Sequence, residues 1–147
     1  MIASAVFASA LLLVVAVSCV GPDVGLEDGR LRACPSSPNC VCSDVEPGSA
    51  AHVEPFPVPE GVEPAAAFAG LVRLVDERAS IASREPDYVH AVFKTRLMRF
   101  RDDFEARLAP EDRLIHVRSA SRLGYSDLGA NRRRVEELRA AYEAAIR

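Results

Sequence analysis

Around residue 104 the chain alternates strictly. Phe100, Asp102, Phe104, Ala106 and Leu108 take every second position, and Arg99, Arg101, Asp103, Glu105 and Arg107 fill the places between. A period of two describes a strand with one covered face and one wet face. Ala109, Pro110, Glu111 and Asp112 then make a turn, and residues 113–121 form another strand-like run, so the pair reads as an antiparallel hairpin. Such a hairpin must have its apolar face covered, and two amphipathic stretches are suited to that. Ala66, Ala67, Phe68, Leu71, Leu74 and Val75 recur at helical spacing, opening after Glu63-Pro64. Val135, Leu138, Ala141, Tyr142, Ala145 and Ile146 form a second stripe near the end. With two further strand-like runs at residues 80–84 and 88–95, the order is α-β-β-β-β-α. This predicts an α+β, two-layer domain over residues 64–147: an antiparallel sheet of about four strands with both helices on one face.

The 147 residues suffice for one domain. Residues 21–63 read as a Cys-containing, Pro-rich extended segment. Pro55, Pro57 and Pro59 alternate with Phe56 and Val58; prolines cannot join a central sheet, so the segment is expected either to lie over the domain, docking Phe56 and Val58 on its surface, or to link it to the membrane. Residues 2–20 are apolar and uncharged, intermediate in length between a signal-peptide core and a membrane span. Ala16-Val17-Ser18-Cys19 resembles the lipobox of bacterial lipoproteins, in which Cys19 would be lipidated. Residues 1–20 are therefore read as a lipoprotein signal peptide or an uncleaved membrane anchor, with ordinary secretion as a third reading. Each puts the rest outside the cytoplasm. The expected location is the cell envelope, facing the periplasm or exterior, with the membrane as a partner through the N-terminus.

Cys34, Cys40 and Cys42 lie within nine residues. In an oxidising compartment, close cysteines read first as a disulfide. Pro35 and Pro38 restrict the loop between Cys34 and Cys40 and favour that pair. Cys42 then remains as a free thiol, an intermolecular partner or an exchange partner. A metal reading would add His52, but the spacing matches no paired arrangement. No metal and no cofactor is expected.

The net charge of −3 argues against nucleic acid as a partner. Charge is uneven along the chain: residues 23–63 carry eight acids against Arg30 and Arg32, and residues 94–134 carry eleven bases against six acids. Residues 118–134 concentrate forked donors suited to a carboxylate or phosphate. Arg118, Ser119, Ser121, Arg122, Asn131, Arg132 and Arg134 are the candidate anion-binding set, with Asp102 and Asp127 orienting the arginines. Arg132, Arg133 and Arg134 sit in the first turn of the last helix, where the dipole disfavours cations but the free amides attract anions. The alternative is that Asp127 caps the helix while Glu136 and Glu137 neutralise the run. Asp102 falls on the apolar face of its strand and needs a partner, for which Arg118, Arg122 and Arg132 are candidates. His90 and His116 would approach one another if their strands were neighbours. No Ser-His-Asp order and no Gly-rich phosphate loop is present.

Three stretches together resemble one family: Cys34-Pro-Ser-Ser-Pro-Asn-Cys40-Val, Arg101-Asp102-Asp103-Phe104-Glu105, and residues 118–132, Arg-Ser-Ala-Ser-Arg-Leu-Gly-Tyr-Ser-Asp-Leu-Gly-Ala-Asn-Arg. The family is the uncharacterised domain of unknown function 1499, of bacterial envelope and chloroplast proteins, and the likeness covers residues 31–142. The resemblance implies an envelope or organellar setting and no established activity. Its pattern has Ser where this chain has Cys42, which favours Cys34 and Cys40 as the disulfide pair. The expectation is a non-catalytic module binding an anionic small molecule, lipid headgroup or protein carboxylate. The alternatives are a structural or assembly factor with an internal Arg network, or an acid–base enzyme using Asp102 or His116 as base.

Overall fold

A computed structural model of the chain describes residues 23–94 and 100–146. The readings of residues 1–20, of Cys19 and of Thr95 and Arg99 as strand residues lie outside the described residues. The elements run β1 (Leu26–Glu27), β2 (Arg30–Leu31), β3 (Cys40–Cys42), β4 (Phe56–Pro57), α1 (Pro64–Asp76), β5 (Ser80–Arg84), β6 (Tyr88–Lys94), β7 (Arg101–Ala109), β8 (Leu114–Ser121) and α2 (Ala130–Ala145).

The α+β class and the antiparallel sheet stand, but the strand count is corrected. The main sheet has six strands among the described residues, in the order β3-β8-β7-β6-β5 with β4 also on β8, and β1-β2 make a separate two-stranded ribbon. The segment expected to be extended thus supplies four strands, two of the main sheet and both of the ribbon. β3 and β4 share the free edge of β8, Cys42 opposite Arg118 and Phe56 opposite Ile115. An edge tolerates proline, because Pro57 needs no donor towards the outside. The β7–β8 hairpin pairs Ala109 with Leu114 through Asp102 with Ser121.

On the inner face, both helices bury their stripes against the sheet. Phe68, Leu71, Val72 and Val75 of α1 and Val135, Leu138 and Tyr142 of α2 pack on Val89, Ala91, Phe104, Ala106, Ile115 and Val117. Phe56 is wholly buried in the same core and stacks at 5.5 Å on Tyr142, so it is a core residue rather than a surface-docked one. The outer face departs from expectation. Asp103 and Glu105, read as wet, are buried. Gly25, beside the ribbon, closes on Glu105, while His90 and Arg122 close on Asp103. Asp28 and Gly29 turn the ribbon with φ of 51° and 75°, the mirror-image turn that Asp-Gly favours.

Candidate functional site

Alternation places Tyr88 and His90 of β6, Asp103, Glu105 and Arg107 of β7, and His116 and Arg118 of β8 on the outer face. Register aligns His90, Glu105 and Arg118 in one row across it. Glu105 Oε1 accepts from the Tyr88 hydroxyl at 2.7 Å and from the Gly25 amide of the ribbon at 2.7 Å; Oε2 accepts from Arg118 Nη1 at 2.7 Å. Asp103 accepts from His90 Nε2 at 2.6 Å and from Arg122 at 2.7 and 2.8 Å. Asp44 accepts two bonds of 2.7 Å from Arg107 and one of 2.9 Å from the Leu31 amide.

The titrations follow from this geometry. Burial works to raise the pKa of Asp44 and Asp103, but the bonds from Arg107 and Leu31, and from His90 and Arg122, outweigh it and hold both below the usual range. Tyr88 is raised by burial first and then by its bond to Glu105. Burial also lowers His116, with Arg107 adding to it and Asp44 opposing.

The inner face carries the rest of the candidate set. Asn131, fully buried on α2, ties the last helix to β8 and to Asn39, the residue before β3. Its Oδ1 accepts from Ser119 Oγ at 2.7 Å and Arg134 Nη1 at 2.6 Å; its Nδ2 donates to the Asn39 carbonyl at 2.9 Å, Ser121 Oγ at 3.0 Å and Asp127 Oδ2 at 2.7 Å. Arg134 also bonds Asp102 at 2.5 Å and lies over the Phe93 ring at 4.7 Å. Asp102 is buried as expected, though Arg134 is its partner rather than Arg118, Arg122 or Arg132. Asp127 accepts from the Gly129 and Asn131 amides at 2.9 and 2.8 Å, and those amides lower its pKa against the opposing effect of burial. It thereby fills the helix N-terminus that an outside anion would occupy. Arg132 bonds the carbonyls of Ala50 and His52 at 2.8 and 3.0 Å.

The nine candidate residues therefore do not converge. Arg118 and Arg122 lie in the outer layer, Ser119, Ser121, Asp127, Asn131, Arg134 and Asp102 at the helix junction, and Arg132 on the surface. β7 separates the strands of His90 and His116, so the two imidazoles hold different partners. His116 Nδ1 faces both Ser43 Oγ at 3.2 Å and Asp44 Oδ1 at 3.1 Å. With both on one nitrogen, they do not form a proton relay through the ring. Sequence reasoning missed Asp44, Tyr88, Glu105 and Arg107; the Asp28-Gly29 pair was the signal that a ribbon covers them.

Cys34 and Cys40 form a disulfide, with Cα atoms 5.6 Å apart, and Cys42 is a buried free thiol. The disulfide loop stands between two cavities. The larger, about 370 Å³, is lined by Asp23, Glu27, Arg32, Asn39, Arg118 and Ser121 among others. The second, about 300 Å³, lies towards Arg132 and Asp127. Among the described residues, two buried side-chain nitrogens lack a hydrogen-bond partner, Nε of Arg32 and Nε of Arg118. Both arginines line the larger cavity. The described residues hold no cluster suited to a metal ion.

Comparison with curated proteins and with solved structures finds no match. The family described as protein of unknown function (DUF1499) matches residues 30–142, which span the disulfide loop, the whole sheet and most of α2, and the chain belongs to that family.

Proposed function

We propose that the protein is a membrane-anchored envelope module that binds a small anion, bearing a carboxylate or phosphate group, in the cavity between the β1–β2 ribbon and the disulfide loop. The observation that carries this reading is that the two arginines lining the cavity are the two whose Nε is buried without a partner. A buried donor left unmade costs about 1–3 kcal/mol, and Arg32 and Arg118 each bear one. Glu105 engages Arg118 only through Nη1, and Glu27 stands 3.8 Å from Arg32 Nη1. An oxyanion accepting from both Nε groups would recover the loss with charge-assisted bonds. Asn39 and Ser121 add polar atoms to the same wall.

A second reading, a structural factor whose arginines only brace the fold, is favoured by the internal partners of Arg122, Arg132 and Arg134. Calorimetric titration of the protein with succinate and with inorganic phosphate, at constant ionic strength, separates the two. Anion binding predicts saturable heat that Arg32→Ala abolishes and Arg118→Lys weakens. Arg32 is half-buried and its Nε has no partner to lose, so its replacement should change stability by less than about 1 kcal/mol. No saturable heat with either probe leaves the structural reading.

A further inference from the structure

The loop of residues 122–129 displays two large apolar side chains, Tyr125 at 76% and Leu128 at 86% exposure. A scattered exposed leucine needs no explanation, but this one is held in place. Leu128 has φ of 52°, a left-handed backbone that side chains with a Cβ rarely take. Asn39 Nδ2 grips the Gly124 carbonyl at 2.6 Å and Arg133 Nη1 the Leu128 carbonyl at 2.8 Å. Ser126 Oγ accepts from the Leu128 amide at 3.3 Å. Strain that the surroundings retain marks a conformation with a use.

The path of the chain indicates what lies opposite. Only Gly21 and Pro22 separate the apolar run ending at Val20 from Asp23, and the three Cα steps between them span at most about 11 Å. Asp23 lines the larger cavity together with Asn39, the residue that holds Gly124. If the run is seated in a bilayer, this end of the molecule faces it. Tyrosine suits the headgroup level and leucine the acyl boundary, and the exposed Arg132 and Arg133 put positive charge beside the loop.

We infer that the loop of residues 122–129 docks on the bilayer surface, with Tyr125 and Leu128 entering the interface. This rests on the anchoring half of the proposed function and is independent of the anion cavity. The sequence has no tryptophan, so Leu128→Trp and Glu111→Trp each place a single reporter in the full chain. Glu111 lies in the turn at the opposite end of the β7–β8 hairpin. The variants are reconstituted with vesicles of phosphatidylcholine and phosphatidylglycerol carrying brominated acyl chains. Docking predicts that Trp at 128 emits further to the blue and is quenched several-fold more than Trp at 111. Equal quenching, in protein that floats with the vesicles, overturns docking and leaves the anchor standing. A blue shift at 128 without bromine quenching assigns the loop to a second copy or another protein and also overturns it. Protein that does not float removes the anchor and the inference together.

Discussion

Glu105 is fully buried, yet each of its oxygens is met: two donors on Oε1 and a guanidinium on Oε2. That matters because an unpaired buried carboxylate would lose its proton only at several kcal/mol of cost. His116 shows the reverse balance. Burial, with Arg107 adding to it, holds its pKa below the ordinary 6.5 despite Asp44. A histidine lowered on folding takes up its proton first in the unfolded chain. Its contribution is therefore complete above 6.5 and is lost as pH falls through the lowered folded value. Wild-type thermal stability should decline from pH 7.5 towards pH 5, and His116→Gln should flatten part of that decline. An unchanged slope in the variant would mean that His116 does not carry it. Asp44 and Asp103, lowered from 3.8, add losses of the same sign at more acid pH.

Three consecutive arginines at a helix N-terminus oppose its dipole, and the structure resolves the conflict by giving α2 a carboxylate from outside the helix. Asp127 caps two amides, Arg134 turns inward to Asp102, and Arg132 leaves for the carbonyls of residues 50 and 52. Loss of a cap costs about 1 kcal/mol, and Asp127→Ala should cost that much in urea denaturation. Asn131→Ala should cost more, about 2–3 kcal/mol, because it removes five side-chain hydrogen bonds at once, although the Asn39 carbonyl keeps the Ser121 amide and the Ser119 hydroxyl keeps Arg134. Equal costs would demote Asn131 from junction to ordinary cap. At this scale the sequence was informative where period alone decides. β5 and α1 start where periodicity and Pro64 place them, and β7 and β8 pair as the turn at residues 110–113 requires. It was uninformative where charge decides. Asp103, Glu105 and Arg107 look like any solvated strand face, because ions that neutralise one another across strands leave no mark within one strand. The arginines of residues 118–134 looked like one cluster for the converse reason: adjacency along a strand puts neighbours on opposite faces of a sheet.

Taken whole, the molecule is a sheet covered twice, by two helices on its apolar face and on its ionic face by a thin layer built from the β1–β2 ribbon and residues 43–45. Little apolar area lies under this second cover: Leu31 of the ribbon meets Cys42 of β3 and Tyr88 of β6, with parts of Cys34 and Val45. Its closure therefore depends on Gly25 reaching Glu105, on Asp44 joining Leu31 to Arg107 of β7, and on the disulfide that shortens the chain between ribbon and β3. Closing a loop that short contributes about 2 kcal/mol in the chain-entropy picture. Cys42, beneath this cover, reports whether it is shut, since burial raises its pKa and keeps it in the unreactive thiol form. Alkylation with iodoacetamide, mapped by mass spectrometry, should leave Cys42 unmodified in the oxidised protein. After mild reduction Cys34, the less buried of the pair, should react first and Cys42 last, together with a fall in thermal stability. Rapid modification of Cys42 before reduction would mean that the ribbon stands open. The ionic layer would then face water, and the partnerless donors of Arg32 and Arg118 would be hydrated rather than held ready for an anion.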